Sequence, residues 1–195
     1  MSDNLIVGLS GYSRSGKNSA AEALVQYGWK QAAFADKLRE FLLAVDPVIP
    51  GAYGAGLLRL SVLIKDVGWE YAKDHYPEVR ALLQRTGTEA GRKLLGSDVW
   101  VNALLAEFSD VPALVVTDVR FPNEAQAVAD RGGVLIRVRR PGVGPARDRV
   151  GRVHESEVAL DGWAFDHTLT NDGSVRDLHL KLYGVADLVQ LSQTV

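Results

Sequence analysis

Cysteine is absent from the 195-residue sequence, which removes disulfides, thiolate metal sites and cysteine nucleophiles from consideration. No uninterrupted apolar stretch is long enough to span a bilayer. The opening residues, MSDNLIVGLS, lack the basic region and long apolar core of an export signal, so a cytoplasmic protein is the simplest expectation. A formal net charge of −2 gives no global attraction to nucleic acid or to an anionic membrane; any basic patch must be local. Internal repeats and low-complexity segments are missing too. No His/Asp/Glu spacing makes a zinc site, and the scattered Ser, His and Asp residues form no nucleophile elbow. What remains is ordinary globular composition, 47% hydrophobic and 24% charged, enough for one domain with a substantial core.

Against these absences one stretch stands out. Leu5-Ile6-Val7-Gly8-Leu9 is a short apolar run suited to a buried strand, and Gly11–Ser19 (GYSRSGKNS) follows it. After it, Ala20, Ala21, Leu24 and Val25 recur at helical spacing. Strand, glycine-rich turn, Gly-Lys and helix is the context of a phosphate-binding loop. Gly11 and Gly16 let the backbone turn its N–H groups inward around a polyphosphate, the helix N-terminus adds its donors, and Lys17 brings a point charge. The position after the lysine is Asn18, with the hydroxyl one later at Ser19. An amide oxygen is a poor ligand for hard Mg²⁺, which points to an ion held partly through water.

The remaining chain alternates strand and helix. The first helix is expected to stop near Tyr27-Gly28, and Lys30–Phe34 is a weak strand candidate. Asp36–Val45 has helical spacing with Asp36 as N-cap. Pro47–Gly56 reads as a Pro/Gly loop. Leu57–Glu107 reads as mostly helical, broken near Gly68, Pro77, Gly87 and Gly96-Ser97, which suggests an inserted helical subdomain. Ala113–Val116 is the continuous apolar run of a parallel strand buried on both faces, delivering Thr117 and Asp118 to its C-terminal end, where open α/β sheets bind ligands. A helix from Pro122 to about Asp130 follows, then a strand at Val134–Val138. A Gly/Pro/Arg loop at Pro141–Val153 comes next, then a short strand at His167–Leu169 and a closing helix at Val175–Tyr183. The expectation is an α/β P-loop NTPase fold with a mostly parallel sheet of about five strands.

Asp118 either holds Mg²⁺, directly or through water, or caps a turn. Arg120, two residues on, is shaped to clamp a phosphate with paired hydrogen bonds. Between Arg137 and Arg152 the sequence carries six arginines (137, 139, 140, 147, 149 and 152) against one acid, Asp148. A charge run is usually a solvated face, but a Gly/Pro-bounded loop leaving a sheet strand also suits a lid over a polyphosphate. Arg39, Arg85 and Arg92 are surface charges or ligands. Trp69 and Trp100 stack on a base or, more commonly for such residues, belong to the core.

Several segments together resemble the phage-type deoxynucleoside monophosphate kinases, relatives of the adenylate-kinase-like P-loop kinases. They are Ser15-Gly16-Lys17-Asn18-Ser19, Phe34–Arg39 (FADKLR), Leu83–Glu89 (LQRTGTE) with Trp100-Val101, and Asp118–Glu124 (DVRFPNE). Arg139–Gly142 (RRPG), His154–Glu157 (HESE) and Asn171–Ser174 (NDGS) complete the set, in order, nearly end to end. Position 18 is often Asp in that family, and Asn18 weakens its part in metal binding.

The resemblance implies one kinase domain over residues 1–195, with an acceptor-binding helical insertion at 36–107 and an arginine lid at 140–156. It implies ATP on Gly11, Ser13, Arg14, Ser15, Gly16, Lys17, Asn18 and Ser19, with adenine near Asn171 and Gly173. The deoxynucleotide would meet Asp36, Arg39, Arg85, Trp100, Asp118, Arg120 and Glu157. Lys17, Arg120, Arg140 and Arg147 would act on the transferred phosphoryl, and Asp118 and Asn18 on Mg²⁺. ATP and a dNMP are the implied partners, without stable nucleic-acid or membrane binding, and with a homodimer allowed; a phage-encoded chain would work in the host cytoplasm. Three other readings fit parts of the sequence: a P-loop kinase of the phosphomevalonate or dephospho-coenzyme A type, an NTP-dependent nucleic-acid-binding protein, and a catalytically silent nucleotide binder.

Overall fold

The computed structural model describes residues 5–51, 56–147 and 151–192, with side chains up to 185. The chain divides into two compact units, Met1–Ala33 with Leu105–Val195, and Phe34–Leu104.

The first unit is built on a five-stranded sheet: β1 (Leu5–Ser10), β2 (Lys30–Ala32), β5 (Ala113–Val116), β6 (Val134–Arg139) and β7 (His167–Thr170), in the order β2-β5-β1-β6-β7. All four pairings are parallel. β1 lies in the middle, which is why it has no polar residue before Ser10: both its faces are covered. On one face Val7, Leu9, Val115, Ile136 and Val138 pack with Ala20, Ala21, Ala23 and Leu24 of α1 (Lys17–Gln26) and Leu178 and Leu182 of α8 (Val175–Ser192). The alanines of α1 allow the helix to lie close to the strands. On the other face a Cβ at Gly8 would come within 2.8 Å of Leu135 and 3.4 Å of Val128, a residue of α6 (Pro122–Ala129). That glycine therefore sets how near α6 can approach.

The second unit comprises α2 (Phe34–Val45), β3 (Val48–Pro50), β4 (Leu57–Arg59), α3 (Leu60–His75), α4 (Pro77–Gln84) and a π-helical segment, Arg85–Leu95. α5 (Val99–Glu107) begins in it. Its core holds Leu38, Leu42, Ile49, Leu60, Leu63, Ala72, Val79 and Trp100.

Four local expectations change. Residues 47–56 do not form loop alone: β3 and β4 pair antiparallel, with Ile49 buried between exposed Val48 and Pro50, an alternation too short to register beside Pro and Gly. The chain stays helical through Gly87, because Gly87 and Gly91 sit where a Cβ would meet Leu38 at 2.8 Å and the Trp100 ring at 2.7 Å. The widened π ladder also lets the Gly87 carbonyl accept the Trp100 indole N–H at 2.9 Å. A four-residue helix, α7 (Glu155–Val158), interrupts the later loop. The closing helix runs on to Ser192.

Alanine is a better helix former than glycine by about 0.5–1 kcal/mol, yet overpacking a rigid ring costs about 1–3 kcal/mol. Gly91→Ala is therefore expected to lower stability in denaturant unfolding. Gly87→Ala, which meets only the movable end of Leu38, should change it less.

Candidate active site

The loop Gly11–Gly16 leaves the C-terminal end of β1 and feeds α1. Both glycines have positive φ, 135° at Gly11 and 104° at Gly16. Each is also pressed from outside: a Cβ would lie 2.2 Å from the Val138 carbonyl oxygen at Gly11 and 2.4 Å from Asn171 Nδ2 at Gly16. Sterics and backbone conformation thus both demand glycine there. Lys17 Nζ turns back over the loop and donates to the carbonyls of Gly11 at 2.6 Å and Tyr12 at 2.8 Å. Ser15 is buried, and its hydroxyl has no hydrogen-bond partner among the described residues. Ser13, Arg14 and Asn18 are exposed, with Arg14 at φ 65°. The Ser19 carbonyl is bonded to His179 Nε2 of α8 at 2.7 Å.

A second layer holds the loop in place, and sequence spacing could not show it. The Tyr12 hydroxyl donates to both carboxylate oxygens of Asp161 at 3.0 Å. Arg137 pairs with the same carboxylate and lies over the rings of Tyr12 and Phe165, 5.6 and 5.5 Å from their centroids. Partial burial and this bond raise the pKa of Tyr12. Arg137 is thus occupied with shaping the loop.

Arg120 follows β5. Its amide and that of Phe121 both donate to Glu124 Oε2, at 2.7 and 3.0 Å. Glu124 is buried and lies in the first turn of α6, so it ties the Asp118–Phe121 turn to the helix that follows. The Arg120 side chain, 42% exposed, reaches Glu157 Oε1 at 3.4 Å. Glu157, only 9% exposed, also accepts from the amides of Ser13 at 3.3 Å and Ala146 at 3.1 Å. One carboxylate therefore touches the phosphate loop, the arginine loop and Arg120. Lys17 feels this setting. Its pKa is pulled down to about 8, chiefly by burial and further by the Arg120 guanidinium, while Glu157 and Asp118 act in the opposite direction.

Of the arginine loop, Arg147 donates to the Gly151 carbonyl at 2.7 Å and bridges to Val153. Asp148 and Arg149 lie outside the described residues. Arg139 and Arg140 line a cavity of about 320 Å³ with Tyr12, Ser15, Pro141, Val143, Thr168 and Thr170. Asn171 donates through Nδ2 to the Ser15 carbonyl at 2.9 Å, and Gly173 packs on Asp177.

The second unit carries its own charged group. Arg39 donates to Asp36 at 3.2 Å and to Glu70 at 3.4 Å, and Glu70 also takes Lys73 at 2.7 Å. The Arg39 guanidinium lies 5.9 Å from the Trp69 ring centre, and its Nε is buried without a hydrogen-bond partner among the described residues. Arg85, at the start of the π-helical segment, is exposed. Trp100 is buried with its N–H on Gly87, so its part in that unit is packing.

For Mg²⁺ the donor set is sparse but suitable. Among the described residues no group of three or more His, Cys, Asp or Glu could hold a metal alone. Asp118 lies near enough to Lys17 to affect its charge, and Asn18 and Ser19 stand in the first turn of α1. One carboxylate beside a phosphate loop fits an ion coordinated mainly by nucleotide oxygens and water, the usual manner for Mg²⁺.

A parallel sheet in this order, with a Gly-Lys loop after its central strand, defines the class of P-loop nucleotide-binding proteins. The chain belongs to the deoxynucleotide monophosphate kinase family, which matches residues 61–182; it is a nucleotide kinase. A protein of Acanthamoeba polyphaga mimivirus named as a deoxynucleotide monophosphate kinase is 28% identical over 94% of this chain and 96% of its own length. The deoxynucleoside-5′-monophosphate kinase of Escherichia phage T5 is 32% identical over 56% of this chain and 46% of its own. Among solved structures, an APS kinase of Mycobacterium tuberculosis aligns with 96% of this chain and 98% of its own, at 16% identity and a TM-score of 0.44. No helix among the described residues is long and apolar enough to cross a membrane.

The lowered pKa of Lys17 has a measurable consequence. Above about pH 8 the unliganded lysine loses its proton, whereas a bound polyphosphate favours the ammonium. Polyphosphate binding at pH 8.5 should therefore take up protons, and affinity should fall by up to about tenfold per pH unit above that range. Calorimetry in two buffers of different ionisation heat, with EDTA present, checks this; no proton uptake contradicts it.

Proposed function

We propose that this kinase transfers the γ-phosphoryl group of ATP to the 5′-phosphate of a deoxynucleoside monophosphate, giving a deoxynucleoside diphosphate and ADP by direct in-line displacement. One observation carries the reading: in a chain of this family, Lys17, Arg120 and Asp118 stand together at the carboxyl edge of the sheet beside a glycine-bounded phosphate loop.

The triphosphate lies on Gly11–Ser19, where backbone amides, the start of α1 and Lys17 meet negative charge. The nucleoside of ATP occupies the 320 Å³ cavity, whose Thr168 and Thr170 hydroxyls and Arg139 and Arg140 offer hydrogen bonds and a cationic wall. Asp118 and Asn18 would hold Mg²⁺ directly or through water, and the ion would supply positive charge to offset that of the triphosphate. Asp118, Arg120 and Glu157 of the first unit serve the deoxynucleotide. Arg140 and Arg147 act on the transferred group.

The acceptor is a phosphate whose second pKa is ~6, so its attacking oxygen is already ionised near neutral pH. No general base is needed. Catalysis then consists of aligning two anions and offsetting their charge. Glu157, bonded to Arg120 and Ser13, keeps Arg120 oriented beside the loop.

A coupled ADP-release assay with dAMP, dGMP, dCMP and dTMP tests the proposal; failure with all four overturns it. Lys17→Ala and Arg120→Ala should each lower kcat by about 10²–10³-fold, with little change in melting temperature. Unchanged rates in both would remove the assigned roles.

A further inference from the structure

We propose that Asn171 is a positioning residue for triphosphate binding, acting through the backbone of the phosphate loop rather than by touching the nucleoside. This rests on the reading above that the loop takes a triphosphate.

Three observations support it. First, Asn171 Nδ2 donates to the Ser15 carbonyl at 2.9 Å, across 156 positions of sequence. A trans peptide is planar, with its C=O and N–H pointing in opposite directions. Holding the Ser15 oxygen on the Asn171 side therefore turns the Gly16 N–H away from it. Gly16 is the residue just before Lys17, so the direction of this one peptide sets where a loop donor points and where the lysine starts.

Second, Gly16 is moulded to this side chain. A Cβ there would lie 2.4 Å from Asn171 Nδ2 and 3.4 Å from its Cγ. The absence of a side chain at Gly16 is what lets Asn171 reach the carbonyl.

Third, Asn171 is itself rigidly mounted. Its amide donates to the Arg139 carbonyl at 2.7 Å, extending the β6–β7 ladder by a residue. Lys181 of α8 holds both neighbours, donating to the Thr170 carbonyl at 2.7 Å and to Asp172 at 2.6 Å. Beyond it, Ser174 and Asp177 cap α8 reciprocally, at 2.7–3.2 Å. Asn171 Nδ2 and its amide, the Asp172 carboxylate and Ser174 are thus engaged within the fold, as a brace behind the loop.

The test compares Asn171→Asp and Asn171→Ala with the parent protein. Aspartate has nearly the same shape but presents only acceptors to the Ser15 oxygen; alanine simply removes the bond. Binding of ATP, GTP and inorganic tripolyphosphate is measured by calorimetry, and KM for ATP and for the deoxynucleotide by steady-state kinetics. Expected are losses of about tenfold or more for Asn171→Asp, smaller for Asn171→Ala, by the same factor for all three triphosphate ligands. KM for the deoxynucleotide and the melting temperature should stay close to parental values.

Weakening of ATP alone, with tripolyphosphate unaffected, would make Asn171 a nucleoside contact and overturn the proposal. So would parental affinities in both variants, or losses that only track a fall in melting temperature; if Asn171→Asp does not fold, Asn171→Ala decides alone. A parent protein that binds none of the three would instead defeat the reading of the loop on which this inference rests.

Discussion

The phosphate loop can exist in its present form only because two points on it have no side chain. Gly11 rests against the Val138 carbonyl of β6, and Gly16 against Asn171 beyond β7. Both contacts come from the strands lying next to β1 and one further out, so the loop is pressed onto its own sheet. That pressure sets the direction of its peptides and, through them, the origin of Lys17. The strand order then acquires a chemical meaning. With β5 on one side of β1 and β6 on the other, the Asp118–Phe121 turn and the arginine-bearing exit of β6 are both brought to the same edge as the loop.

Charge is the second constraint. Lys17, Arg120 and Arg137 lie along this edge, and like charges held close together repel, as the Arg120 guanidinium does Lys17. The structure offsets this with three carboxylates of distinct placement. Asp161 is engaged by Arg137 and Tyr12, leaving that arginine a structural role. Glu157 contacts Arg120 without enclosing it, and Asp118 and Glu157 together keep the Lys17 pKa from falling further. An arginine kept half-exposed by a carboxylate beside it can meet a second anion at small reorganisation cost, which is what preorganised stabilisation requires.

Much of this was legible in the sequence, for reasons that can be traced. The loop announced itself through local order: apolar strand, glycines at both ends, lysine, then helix. Asp118 and Arg120 belong on the rim because a continuous apolar run is typical of a parallel strand buried on both faces, and the carboxyl end of such a strand faces the ligand edge. The Glu124 clamp was visible in principle, since Phe121-Pro122-Asn123-Glu124 has an acid three residues after the helix boundary. Other features had no local trace. Tyr12 and Asp161 are 149 positions apart, and nothing in either neighbourhood names the other. The glycines of the π-helical segment looked like interruptions because their reason, Leu38 and Trp100, lies elsewhere in the chain. Trp100 itself carried two meanings in sequence, ring for a base or ring for a core, and only burial separates them.

The same logic explains why a chain with four histidines places none of them on the phosphate loop's ligand edge. His154 bonds within its own turn to Ser156 at 2.8 Å, His75 stacks on Tyr71 at 3.8 Å, and His179 holds the Ser19 carbonyl from α8. His167 begins β7, paired with Ile136. An enzyme that had to remove a proton from an alcohol near neutral pH would need a base at that edge, where the carboxylates of Asp118 and Glu157 lie close to Lys17 and Arg120 instead. An acceptor that arrives already as an oxyanion needs geometry and positive charge instead, and those are what the loop, Arg120 and their carboxylate supports supply. On the reading proposed above, such a site suits an acceptor that arrives already ionised, with Asn171 fixing the loop's position and Lys17 and Arg120 carrying charge beside it.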